Sequence, residues 1–176
     1  MIDHVKQVLA NQFDAALCMF SECVEKCPHA MWDGTVAKYP FWQVAYHTLC
    51  FVDLYLSADE ATFPYRPDFH PRGWREFADE YPSRRFEPRE ICAYLVICRQ
   101  KARDVVMSET MASLQGPTGF PGRPATRLEL HVYNIRHLQH HTGQLSAYLR
   151  RADPSIDPRW TGSGWREAAR TADTAP

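Results

Sequence analysis

Four stretches of this chain place apolar residues at every third or fourth position, the spacing of a helix that buries one face. The first covers residues 3–27, with Val5, Leu9, Phe13, Ala16, Phe20 and Val24 on one side and Pro28 as its stop. The second covers residues 40–57, on a stripe of Val44, Phe51 and Leu54; Pro40 suits a first helical position, where no N–H is needed. The third covers residues 88–115 along Ile91, Leu95, Cys98, Ala102 and Val105, and Gly116-Pro117 ends it. The fourth covers residues 125–151 along Ile135, Leu138, Thr142, Leu145 and Leu149, closed by Asp153-Pro154. No segment alternates as a strand would. The pattern predicts an all-α fold, a four-helix bundle in up-down-down-up or similar order.

The link between the second and third helices, residues 58–87, is far longer than an antiparallel turn requires. It holds Phe63, Tyr65, Phe69, Trp74, Phe77, Tyr81 and Phe86, too many rings for a solvated linker. The expectation is a segment packed over one end of the bundle, as a lid or a dimer contact. The Gly/Pro-rich loop Gly116 to Pro124 is expected to be exposed. Residues 1–151 are expected to form the helical domain and 152–176 an irregular tail, with Trp160 and Trp165 docking on the bundle and disorder beyond Ala168.

Composition narrows the function classes. The 176 residues suffice for one core, and 45% apolar with 23% charged residues is a globular balance. Twenty basic residues are interspersed with 21 acidic ones for a net charge of −1, without the basic face a nucleic-acid binder needs. Arg84-Arg85 and Arg150-Arg151 read as solvated helix ends. The longest apolar run, Ile91 to Cys98, is well short of the ~20 residues of a membrane span. The first residues lack a signal-peptide layout, so a cytoplasmic location is expected. Six cysteines include no Cys-x-x-Cys pair and fall in helical segments, where a reduced thiol packs as a small hydrophobe. Cys23 and Cys27, one turn apart, are the alternative to that reading.

Chemistry concentrates in the histidines. With ~100° per residue and Leu138 at zero, the stripe of the fourth helix spans about −20° to +60°. His141 then falls near −60° and His137 near −100°, neighbours one turn apart on the flank of the buried face. His140 falls near 200°, away from the core, and reads as a surface residue. In the second helix, His47 lies between Val44 and Phe51 and points along their stripe. A single inward histidine reads first as a core imidazole with a hydrogen-bond partner, and the pair alone could be an accident of a helix surface. Convergence changes the balance, because three unsatisfied imidazoles in one buried place are costly and a metal ion removes that cost. Three neutral nitrogens suit Zn, Ni or Fe(II) and leave positions for water or substrate. Gln144, Tyr148 and Asn134 are candidates for outer partners, against ordinary packing. His4, His29 and His70 read as exposed, and His131 as a core residue.

Other constellations are missing. No Glu is followed three residues later by His, as a ferritin-like di-iron site needs. His-Glu-x-x-His, phosphate-cradling glycine loops and the Gly-x-Ser-x-Gly elbow do not occur.

Around these residues the sequence resembles a known family. Phe41-Trp42-Gln43-Val44-Ala45-Tyr46-His47 and Arg136-His137-Leu138-Gln139-His140-His141-Thr142-Gly143-Gln144-Leu145, with its His-x-x-x-His-x-Gly-Gln-Leu pattern, are similar to the DinB-like superfamily of bacterial metal-binding four-helix bundles. The resemblance covers about residues 1 to 151. It implies a metal site on His47, His137 and His141, frequently in homodimers. Characterised relatives include thiol-dependent transferases and isomerases that use bacillithiol, mycothiol or glutathione. The resemblance thus implies a small-molecule substrate and a divalent metal acting with a low-molecular-weight thiol, in a transferase or hydrolase. A non-catalytic, metal-stabilised stress or interaction module is the other reading.

Overall fold

A computed structural model describes residues 1–80 and 82–162. Its described part is mostly helical, as expected: α1 (Ile2–Lys26), α2 (Phe41–Tyr55), α3 (Pro88–Ser108), α4 (Met111–Gln115) and α5 (Arg127–Ala152). Each of α1 and α2 packs against both α3 and α5. The apolar stripes meet in one core that includes Phe13, Phe20, Leu49, Ile91, Leu138 and Leu145. Burial of that surface drives the assembly, at ~25 cal/mol per Å2.

Local chemistry sets the helix ends. Glu87 and Glu90 form a capping box at the start of α3, with Pro88 just inside it. Thr126 caps α5 by accepting the Glu129 N–H. The third predicted helix does not reach Gln115. It stops at Ser108 because Glu109 leaves helical geometry and Thr110 starts α4, its hydroxyl accepting from the Ser113 N–H. The break turns Glu109 inward, where Arg127, His131 and Ser113 all reach its carboxylate. Arg127 in turn donates to the carbonyls of Tyr55, Leu56 and Ser57, which α2 leaves without helical partners.

The absence of strands was also wrong in one place. Thr35–Val36 (β1) and Tyr39–Pro40 (β2) pair antiparallel, with Thr35 opposite Pro40 and Val36 opposite Tyr39. Ala37 at the turn has φ 57°, the left-handed region a two-residue hairpin demands. Gly34 precedes the hairpin under the Tyr148 hydroxyl, which would lie 1.8 Å from a Cβ there. Pro40 is therefore the end of a strand and the residue before α2 rather than its first turn.

Residues 58–87 pack against the helices as expected, with Phe63, Phe69, Phe77 and Phe86 buried, while Tyr65 and Trp74 remain exposed. Tyr81 lies outside the described residues. A polar network anchors this connection. The buried Asp53 carboxylate accepts from Lys101 at 2.6 Å, Tyr94 at 3.0 Å and Arg66 at 3.2 Å. His70, expected at the surface, is 2% exposed. Its Nδ1 accepts the Arg66 N–H at 3.2 Å and its Nε2 lies 2.8 Å from the Tyr94 hydroxyl. Because that hydroxyl donates to Asp53, the ring carries its proton on Nε2.

The loop after α4 is mostly exposed, but Phe120 is buried edge-on against Tyr55. Beyond α5, Arg150 pairs with Asp157 and Arg159 with Glu22, so this segment lies along α1 and α5. Arg84 stacks on Phe86 and Arg85 pairs with Asp33, so these two are connection residues rather than a helix end. Trp160 does not dock: it is 78% exposed. Trp165 and the residues beyond Ala168 lie outside the described part. Cys23, Cys50 and Cys98 are buried and Cys18, Cys27 and Cys92 half-buried, all as free thiols. Burial pushes the Cys23 and Cys27 thiols up to about 12, which keeps them protonated.

Candidate metal centre

His47 projects from the middle of α2, and His137 and His141 from successive turns of α5. The two helices pack face to face, and the three rings meet. Their centroids are 4.6 to 5.4 Å apart. One nitrogen from each ring lies within 4.8 Å of the other two. The Nε2 atoms of His137 and His141 are 3.1 Å apart. Two nitrogens each about 2.1 Å from one zinc ion lie at most about 4.2 Å apart, a difference that small ring rotations absorb.

The outer nitrogens are held from behind. His47 Nδ1 lies 3.0 Å from Asp79 Oδ1, so it donates to the carboxylate and leaves the Nε2 lone pair free. His141 Nδ1 lies 2.9 Å from Gln144 Oε1, with the same consequence. His137 Nδ1 is buried without a hydrogen-bond partner. Phe51 packs against both His47 and His137, and Tyr55 edge-on against His137. Burial lowers all three rings from their ordinary value: His137 to about 3, helped by the neighbouring imidazoles, and His47 to about 4, helped by His141. At neutral pH all three are therefore uncharged, as metal ligands must be. This donor set fits a divalent ion.

Two of the three rings, His47 and His141, open on a cleft of about 170 Å3, lined also by the β1–β2 hairpin, by Gln43 and Val44 of α2, and by Asp79 and Gln144. Asp79 is the one carboxylate among these lining residues, and it is engaged by His47.

The remaining candidates sort by position. Gln144 does reach a ring of the triad. Tyr148 instead donates to Met31 O at 3.4 Å, and Asn134 to Val52 O at 3.2 Å. His140 is exposed on the outer face of α5, as the helical wheel predicted. His131 is fully buried and bound to Glu109. Asp79 had not been anticipated: it lies in an aperiodic segment 32 residues from His47, and nothing local marks it.

Neither the curated proteins nor the solved structures searched give a match to this chain. A sequence profile of the DinB superfamily does match, over residues 12–145. That span holds α2, α3, α4, all three clustered histidines and most of α1 and α5. By that match the chain belongs to the DinB superfamily.

Proposed function

We propose that this protein holds a divalent metal ion, Zn, Ni or Fe, on His47, His137 and His141, and uses it to act on a small molecule through a low-molecular-weight thiol. The observation that carries the reading is the convergence of three uncharged imidazoles, two with their outer N–H groups committed elsewhere. A bound divalent ion supplies Lewis acidity and lowers the pKa of a thiol or water that reaches it. The chain's own residues do the rest. Asp79 and Gln144 fix the proton on the far side of His47 and His141. Phe51 and Tyr55 pack against the rings and shield one side of them, and the hairpin and Gln43 shape the cleft where substrate enters. Because Asp79 is engaged by His47, the described residues that line the cleft offer no free carboxylate as general base. That favours a transferase whose thiol is the nucleophile over a hydrolase.

The same reading makes residues 1–151 an up-down-down-up four-helix bundle and 152–176 a tail. Its support is the pairing of Asp14 with Arg103 (α1 and α3), Phe13 with His131 (α1 and α5), Tyr55 with Tyr133 (α2 and α5) and Asp53 with Lys101 (α2 and α3). A homodimer in the cytoplasm completes it. Among the described residues no helix is long and apolar enough to cross a membrane.

The first test is elemental analysis of the tag-free protein, where about one equivalent of metal is expected. Cobalt substitution followed by bacillithiol, mycothiol or glutathione should then produce a sulfur-to-metal charge-transfer band. The lack of a free base also favours a second reading, a metal-stabilised module without catalysis; there chelation lowers the melting temperature and no thiol produces a band.

A further inference from the structure

Asp79 belongs to the connection, yet its carboxylate lies against the metal triad. We propose that Asp79 is a positioning residue that holds His47 ready for metal, and that through this bond metal occupancy fastens the connection over the cleft. The inference rests on the metal-binding reading above.

Residue 79 is attached to α2 at two points one helical turn apart. The Gln43 side-chain amide donates to the Asp79 carbonyl, and His47 Nδ1–H donates to its carboxylate at 3.0 Å. Phe77, two residues earlier, meets Phe51 edge-on, the ring that also packs on His47 and His137. Elsewhere the connection is held by other groups. Arg66 and His70 bind the Asp53–Tyr94 pair, Phe69 stacks on Tyr94 and Phe86 stacks on Tyr46. Among the described residues of the connection, Asp79 is the one bonded to a triad histidine; Phe77 also stacks on His70, and Glu80 pairs with Lys38 at the hairpin turn.

The coupling follows from the two ends of one ring. A carboxylate on Nδ1–H fixes the tautomer and makes Nε2 a better donor to a cation. A cation on Nε2 in turn draws electron density from the ring and makes Nδ1–H a stronger donor to Asp79. Such linkage is reciprocal: the factor by which Asp79 tightens metal is the factor by which metal tightens Asp79. The carboxylate is 51% exposed and lines the cleft, so its release widens the way to the metal. The connection then works as a clasp that closes on the loaded site.

The test compares the full-length protein with Asp79→Ala and Asp79→Asn, each stripped of metal and zinc-loaded. Zinc affinity is read by competition with a chromophoric chelator, and backbone order by amide hydrogen exchange. Asp79→Ala should weaken zinc roughly 10–100-fold. In the wild type zinc should slow exchange at residues 77–80 while leaving residues 66–70 unchanged, and Asp79→Ala should abolish that protection. Asp79→Asn, which keeps an acceptor oxygen without its charge, should fall between. Wild-type protein that binds zinc with no change at 77–80 overturns the proposal. So does Asp79→Ala with undiminished zinc affinity, the outcome of a merely structural aspartate. If the wild type binds no zinc at all, the metal-binding reading itself fails, and this inference with it.

Discussion

At the start of α5, His131 turns its Nε2 to Glu109, which also accepts from Arg127 and Ser113. Six residues further on, His137 and His141 turn their Nε2 atoms toward each other and toward His47. Both are polar clusters seated on the same helix, the first buried and the second half-buried, and both suppress the charge on their imidazoles. In the first, a carboxylate and a guanidinium already balance one another and nothing further is invited. In the second, the anchors stand outside, at Asp79 and Gln144, and the inner nitrogens face only each other. Burial of a histidine therefore says little about ligation. The direction of its unshared lone pair says much more.

The contrast can be broken from either side. The largest effect belongs to the triad. His47→Ala or His137→Ala should weaken zinc by more than the roughly 10–100-fold typical of losing an outer hydrogen bond, leaving no metal after gel filtration, whereas His131→Ala should retain it. Elemental analysis decides.

Next comes the structural network. Asp53→Ala leaves Lys101 and Arg66 beside a buried hydroxyl without their carboxylate, a loss worth about 3–5 kcal/mol. For a chain of this size the melting temperature should fall by roughly 6–20 °C, with zinc affinity little changed. Equal losses of metal and stability would mean that the two regions are not separate.

Acid titration of the metal-free protein should resolve them more finely. His47 and His137 take up protons only near about 4 and about 3 when folded, against an unfolded value near 6.5. The unfolded chain binds those protons first, so stability declines as pH falls below about 6.5 and this decline ends near pH 3. Glu109 has the opposite chemistry with the same sign. Burial raises its carboxyl, but hydrogen bonds from His131, Ser113 and Arg127 outweigh that and hold it at about 2. Its stabilising share is whole above about 4.5 and disappears as pH drops toward 2. His137→Ala should flatten the upper part of a denaturation-midpoint curve and Glu109→Gln the lower part. A curve unchanged by either substitution contradicts the assignment.

The smallest effect is at the hairpin. Ala37→Gly relieves a left-handed backbone at an alanine and should add about 0.5–1 kcal/mol, read by urea unfolding.

These regions also differ in how much of them the amino-acid pattern disclosed. The His137/His141 pair and the inward His47 follow from periodicity, because each sits on a long regular helix whose buried face is plain. The break at Glu109 carried a local signal in Thr110 and Ser113, a cap inside an apparently continuous stripe. Asp53, a charge within the apolar run Phe51-Val52-Asp53-Leu54, marks a buried anion but not its partners. Asp79, His70 and the hairpin left no comparable trace. Their places depend on how an aperiodic connection folds back over α2 and α3, and that is decided by contacts distant in sequence.

Arg127 has a consequence for that geometry. Its guanidinium grips the last carbonyls of α2 from the first turn of α5, fixing how far one rod can slide along the other. A slip by one turn would shift His47 about 5.4 Å relative to the pair on α5. The tolerance of this three-nitrogen cluster is thus set roughly two to three helical turns away from it, by a buried arginine at the seam of the two helices.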